Sequence, residues 1–280
     1  MAAHAISMTQ ATPSSPPPGI TSTRSPWQVA WAVWHALFMR EALTRLYGRR
    51  MAWLWLLLEP LVHVGFLMLI FSTLRQRHLS GVDFALFLAL GFMGYQMFVA
   101  TGRRCASAIG ANRGLLSYRQ VLPVDTVLAR IALESTLQFI VLVLLLLLAA
   151  VAGFDVLPHD PLIACAALAL LALMGAGFAL TFSVLYVLVP ETEKLVGFIF
   201  VPLYFLSAIM YSPAMLPVTA REWLLYNPIV HGVELIRSGF FPGYHVLPEI
   251  SMGYLAAWAL SLTVLGLALQ RRFAKRLQAL

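Results

Sequence analysis

Six stretches of this chain stay apolar long enough to cross a bilayer. Between Arg50 and Arg75 lie 24 residues with a single charge, Glu59. Uncharged runs follow over Phe84–Gly102 (19 residues), Ser135–Phe154 (20), Pro161–Pro190 (30), Leu195–Ala220 (26) and Ile250–Gln270 (21). A helix rises 1.5 Å per residue and the hydrocarbon layer is about 30 Å thick, so about 20 residues suffice. The pattern predicts an all-α membrane protein with six transmembrane helices.

The polar intervals carry their own patterns. Residues 1–25 hold no apolar run, so they do not read as a signal peptide. The stretch TPSSPPPGITSTRSP reads as a disordered cytoplasmic tail. Over residues 26–50, Trp27, Trp31, Trp34 and Phe38 recur at steps of 4, 3 and 4 and share one helical face. This fits an amphipathic helix lying in the cytoplasmic interface before the first span, or an aromatic stripe packed on other helices. Glu41 and Arg45 stand i,i+4, a spacing that suits an ion pair.

The segment Arg103–Arg130 reads as a turn at Asn112–Gly114, then one or two helical turns over Leu115–Gln120, stopped by Pro123. Asp125 is the expected N-cap of the third span. Leu115, Leu116 and Val121 form an apolar edge beside Arg113 and Arg119. That suits a docking surface, and equally a solvated basic loop. After the fifth span, residues 212–249 are too aromatic for an exposed loop and too broken by Pro213, Pro217, Pro228 and Pro242 to span. Two short re-entrant or interfacial helices are expected near Ala220–Tyr226 and Ile229–Phe240.

Composition sharpens this picture. Of 280 residues only 11% are charged and 60% are hydrophobic. One globular core cannot bury so much apolar surface, which excludes a soluble enzyme, a nucleic-acid binder and a disordered protein. The net charge of +7 is distributed topologically. Segments falling on one side of the six spans hold 15 Lys and Arg, and those on the other hold 4. The positive-inside rule then places both termini, including the basic tail 271–280, in the cytoplasm.

Catalytic and ligand-binding motifs are missing from the sequence. It has no GxxxxGK[ST] loop, HExxH or GxSxG, and no Cys/His spacing for a metal. Cys105 and Cys165 are expected near opposite sides of the bilayer, without a disulfide. Ionisable residues within spans attract attention because they are costly there. Glu59 and His63 stand i,i+4 around Pro60, as a polar contact on a translocation path or subunit seam, or as a mutually satisfied pair. Glu134 is expected at the interface. Glu234 and Arg237 stand i,i+3, as an ion pair or a substrate contact. Ala172, Gly175, Ala176 and Ala179 form a small-residue stripe that permits close packing and suits a dimer seam.

Four stretches carry a resemblance: REALTRLYGRR (Arg40–Arg50), WLWLLLEPLVH (Trp53–His63), LLSYRQVLPVDTVLARIALE (Leu115–Glu134) and YNPIVHGVELIRSGFFPGY (Tyr226–Tyr244). From about residue 27 onward the chain resembles the capsule-polysaccharide export branch of the ABC type 2 permeases, with O-antigen and teichoic-acid exporters as relatives. The resemblance implies a six-span permease domain over 51–270 in a bacterial inner membrane. It implies a homodimer joined by two copies of a separate ATPase, which holds the ATP and Mg; this chain needs no cofactor. It implies ATPase contact through Arg40, Glu41, Arg45, Arg113, Leu115, Leu116 and Arg119. The substrate implied is a lipid-linked polysaccharide, with Trp53, Trp55, Tyr95, Tyr204 and Tyr211 as path-lining candidates beside Glu59 and His63. Glu234 and Arg237 would stand at an outer gate, and periplasmic and outer-membrane export proteins would receive the product. Rival readings are a same-fold exporter of another substrate, an embedded enzyme using Glu59 and His63 on lipid-linked sugar, and a membrane scaffold.

Overall fold

A computed structural model describes residues 25–47, 52–73, 83–118 and 120–278. The expected tail over residues 1–24, together with Arg49, Arg50, Arg75, Arg77 and Arg119, lies outside the described residues, as does the side chain of Trp53.

All regular structure among the described residues is helical. α1 (Pro26–Tyr47) precedes α2 (Ala52–Thr73) and α3 (Phe84–Thr101). Two single-turn pieces follow, α4 (Arg103–Ala106) and α5 (Ala108–Ala111), and a 3-10 turn at Arg113–Leu115 leads to α6 (Pro123–Val151). α7 (Pro161–Leu188), α8 (Glu191–Phe205), α9 (Val218–Leu225), α10 (Pro228–Phe240) and α11 (Met252–Gln278) complete the chain.

Four described helices are long and apolar enough to cross a membrane: Phe84–Ala106, α6, α7 and α11. The other two expected spans differ. In α2 the apolar stretch is the shorter Leu54–Leu67. α8 has 15 residues and ends at Phe205, short of Tyr211. The reason for that stop is local. The Tyr211 hydroxyl donates to the Phe205 carbonyl at 2.9 Å, the Asn227 amide donates to the Leu206 carbonyl at 2.9 Å, and Ala208 takes φ of 56°. Side chains thus cap the carbonyls that a longer helix would have used.

Helix starts follow proline and short polar caps. Pro161 opens α7 after Asp160, whose Oδ1 accepts from the Leu162 and Ile163 amides; Pro228 opens α10 after Asn227, whose Oδ1 accepts from Ile229. At α6 the expected cap moves. Leu122 occupies the N-cap position, and Asp125 reaches back from the third helical position to accept from the Leu122 amide at 3.1 Å.

α3 is the central post: every side chain from Leu86 to Thr101 is buried. Its sequence is apolar on all faces, as burial requires. α7 packs against α3, α10 and α11. On α7 the stripe residues Gly175, Ala176 and Ala179 are buried within the subunit. A Cβ built at Gly175 would lie 2.8 Å from the Phe98 carbonyl oxygen of α3, and one at Gly177, beside the stripe, would lie 2.5 Å from the Thr263 amide of α11. At Gly175 the stripe therefore serves an intrachain crossing. Cys105 is buried and Cys165 exposed, both as free thiols. The basic residues Arg271, Arg272, Lys275 and Arg276 continue α11 rather than leaving it.

Candidate functional site: a charge ladder, a polar cleft and a buried clamp

The end of the bundle where α1 meets the start of α6 is organised by tertiary ion pairs in place of the expected local one. Glu41 pairs with Arg130 of α6, taking Nη2 at 2.9 Å and Nε at 3.1 Å, and Arg45 pairs with Glu134 of α6 at 2.9 Å. α6 presents an opposite charge at each of two positions four apart, so both α1 residues turn to it. Glu134 is buried, 4% exposed. Its second cation is Arg104, at 3.7 Å.

Of the remaining cytoplasmic candidates, Arg40 donates to the Asn112 Oδ1 at 2.7 Å. Arg113 is exposed and Leu115 half-buried, whereas Leu116 is buried in a cluster with Ile109, Val127 and Ile131. The expected apolar edge is split, because a 3-10 turn has a different period from an α-helix. The aromatic stripe on α1 also divides. Trp27 and Trp31 are exposed at 78% and 67%, while the Trp34 indole donates to Asp125 at 3.2 Å.

Deeper in, a cleft of about 590 Å³ opens between α2, α3, α4 and α8. Its walls include Glu59, Tyr95, Gln96, Arg103, Arg104 and Tyr204. Glu59 receives Arg104 at 3.3 Å and the Gln96 amide at 3.5 Å. His63, expected as its partner, instead hydrogen-bonds the Tyr204 hydroxyl and stacks on Phe92 with centroids 4.1 Å apart. The local i,i+4 spacing offered a partner, and other helices supplied nearer ones. Tyr95 donates to the Phe200 carbonyl at 3.0 Å, and Arg103 lies over the Phe200 ring. Trp55 lies outside this cleft, on a neighbouring groove with Val62 and Phe66 that Glu59 and His63 also line. Tyr211 is absent from both and is held near the α8 end.

The outer candidates form a clamp. Glu234 and Arg237 of α10 pair at 2.9 Å and are buried, at 1% and 0% exposed. The Tyr244 hydroxyl donates to Glu234 at 3.0 Å. Arg237 also donates to the carbonyls of Ala208, Ile209 and Phe87. Such a residue is committed to holding backbone in place. Nearby His231 accepts at Nδ1 from the Ser251 amide at 2.9 Å and donates from Nε2 to the Leu225 carbonyl at 2.8 Å, the pattern of a neutral ring.

Sequence reasoning missed Asn112, Arg104, Gln96, Arg130 and Tyr244. Arg104 and Arg130 were read only as orientation charges, and no local signal marks the others. No group of three or more His, Cys, Asp or Glu able to hold a metal occurs among the described residues. The cleft wall brings hydroxyl, amide, charged and aromatic groups together.

Residues 32–241 match the ABC-2 type transporter family. The chain is 36% identical over 250 residues to the polysialic acid transport protein KpsM of Escherichia coli, covering 89% of this chain and 96% of that protein. It is 31% identical over 244 residues to the capsule polysaccharide export inner-membrane protein CtrC of Neisseria meningitidis, covering 86% and 90%. It is 29% identical over 242 residues to the corresponding protein BexB of Haemophilus influenzae, covering 86% and 91%. A helical chain with several apolar crossings, matched nearly end to end in this way, belongs to the ABC-2 type transporter family.

Proposed function

We propose that this chain is the membrane permease subunit of an ABC exporter that moves a lipid-linked capsular polysaccharide across the bacterial inner membrane. The observation that carries this is the near full-length similarity to three proteins named for polysialic acid transport or capsule export. The cleft adds chemical support: hydroxyl, amide and aromatic groups at Tyr95, Gln96 and Tyr204 suit a sugar chain.

The finer assembly belongs to the same reading. α2 and α8 supply the two further spans, for six in all, with α9 and α10 re-entering from the outer side. Two copies pair with two copies of an ATPase, which supplies ATP and Mg. The turn carrying Arg113 and Leu115 contacts that ATPase, and export proteins of the periplasm and outer membrane take the product onward.

The decisive test is complementation of a strain lacking this gene, scored as surface polysaccharide and retention of lipid-linked chains inside. Restored surface polysaccharide supports the reading. Surface polysaccharide unchanged by the deletion refutes it.

Orientation follows from the 15-to-4 division of cationic residues. Reporter fusions after Arg113 and after residue 280 are expected in the cytoplasm, and one near Pro217 outside. A cytoplasmic signal at Pro217 would overturn the six-span arrangement.

Leu115→Asp tests the ATPase contact without disturbing the core that holds Leu116. A carboxylate forced into an apolar contact without a partner costs roughly 1–3 kcal/mol, enough for about tenfold weaker association. The variant is expected to reach normal membrane levels yet lose ATPase copurification and export. Undiminished copurification would place the contact elsewhere.

A further inference from the structure

The cytoplasmic turn at Arg113–Leu115 is packed on the helix bundle by Leu116 and hydrogen-bonded to α1 by the Asn112 side chain. This residue is 5% exposed. Its Oδ1 accepts from Arg40 at 2.7 Å, and its Nδ2 donates to Glu41 Oε1 at 2.9 Å and to the Ala108 carbonyl at 2.9 Å. Its backbone is held in both chain directions. The amide donates to Ala108 and Ile109, and the carbonyl accepts from Leu115 at 2.9 Å. A side-chain amide offers two donor hydrogens and an acceptor oxygen, and all are engaged here.

What Asn112 holds is itself connected. Glu41 passes to Arg130 on α6, and Arg130 touches the Ser107 hydroxyl at the start of α5. One turn further along the same two helices, Arg45 meets Glu134. Glu134 then meets Arg104, and Arg104 meets Glu59 at the cleft wall. The Ser107 hydroxyl donates in turn to the Arg104 carbonyl at 3.4 Å, so polar contacts lead from the exposed turn through Glu41, Arg130 and Ser107 to Arg104 at the cleft. The Asn112–Glu41–Arg130 end is the buried, charge-assisted part, whose geometry displacement would break.

We propose that Asn112 is the joint through which movement of the cytoplasmic turn reaches α1 and α6, making it a positioning residue for transport. This rests on the functional reading above, because the driving movement comes from the partner ATPase.

The test uses the full permease with its ATPase in proteoliposomes, with ATP hydrolysis and export of lipid-linked polysaccharide measured on the same preparation. The readout is export per ATP hydrolysed, which a mere loss of folded protein leaves unchanged. Asn112→Asp replaces the donor facing Glu41 by a second carboxylate. Export per ATP is expected to fall about tenfold, within the usual size of a coupling effect. The comparison that isolates the Glu41 contact is Asn112→Asp against Asn112→Ala, since Glu41 Oε1 also accepts from Arg130 and cannot be changed without breaking that pair. Asn112→Ala removes the contacts without adding charge and is expected to fall less than Asn112→Asp.

Two results overturn the joint. One is unchanged export per ATP in Asn112→Asp and Asn112→Ala. The other is a fall in Asn112→Ala as large as that in Asn112→Asp. Unaltered permease that neither binds an ATPase nor exports would sink the functional reading, and the joint with it. A competent parent with indifferent Asn112 variants sinks the joint alone.

Discussion

Arg237→Leu is expected to leave little folded protein in the membrane. The guanidinium is fully buried and lies over the Phe87 ring, 3.5 Å from its centroid. It donates to Glu234 at 2.9 Å and to the carbonyls of Ala208 at 2.8 Å and Ile209 at 2.7 Å. Those carbonyls belong to the irregular stretch after α8, where Ala208 holds φ of 56°. Most side chains find that conformation strained, so it persists only while something holds it. Removing Arg237 strands the Glu234 carboxylate and frees these carbonyls at once. Breaking a buried pair from one side costs about 3–5 kcal/mol, against a total stability of about 5–15 kcal/mol. Arg237→Lys is expected to rescue poorly, since an ammonium cannot reproduce the planar fork that reaches several acceptors. Glu234→Gln in the Arg237→Leu background should recover part of the loss by removing the stranded charge. Membrane yield and thermal unfolding in detergent measure all three. Parental yield and melting in Arg237→Leu would show that the clamp holds nothing.

Gly175→Val should be nearly as damaging for a steric reason. α3 and α7 cross so closely that a Cβ at position 175 would lie 2.8 Å from the Phe98 carbonyl oxygen and 3.0 Å from the Gly102 amide, and closer still to the Thr101 hydroxyl. Two of those three obstacles are backbone and cannot rotate away. Overpacking usually costs about 1–3 kcal/mol, and a backbone clash falls at the upper end or beyond. Thr101→Ala is expected to relieve only the side-chain part. Gly110→Ala is the control, because nothing lies within 4 Å of its Cβ position. It should leave the melting temperature unchanged. Equal melting of Gly175→Val and Gly110→Ala would refute the close crossing.

The sequence was informative wherever local physics decides. The broken aromatic stretch between the fifth and sixth expected spans suggested short helices near Ala220–Tyr226 and Ile229–Phe240. Helices occur at Val218–Leu225 and Pro228–Phe240, each opened by a proline at its cap or first position, where no helical amide bond is lost. Glu234 and Arg237, placed i,i+3, do pair. Local spacing misled where a distant helix offered better chemistry. Glu41 left Arg45 for Arg130, and His63 left Glu59 for Tyr204, because helix packing brought complementary groups closer than flexible neighbours on one face. Leu115 and Leu116 were read as one edge, yet their turn sends one inward. The cleft was only partly legible. Tyr95, Tyr204 and Glu59 do meet there, while Trp55 and Tyr211 face elsewhere. Aromatic content marks membrane proteins generally, and no single-sequence signal separates a lining ring from a packing one.

The order of charges in the ladder between α1 and α6 has a consequence for how α1 can travel. Reading along each helix, α1 presents Glu41 then Arg45, and α6 presents Arg130 then Glu134. Slide α1 toward its C-terminus by one turn and Glu41 would face Glu134. Slide it back and Arg45 would face Arg130. Either slip trades an attraction for a repulsion at low dielectric, where like charges are most costly. The two rungs therefore act as an index pin that defines one axial register. α1 can ride with α6 as a body or swing away from it, but it cannot creep along it.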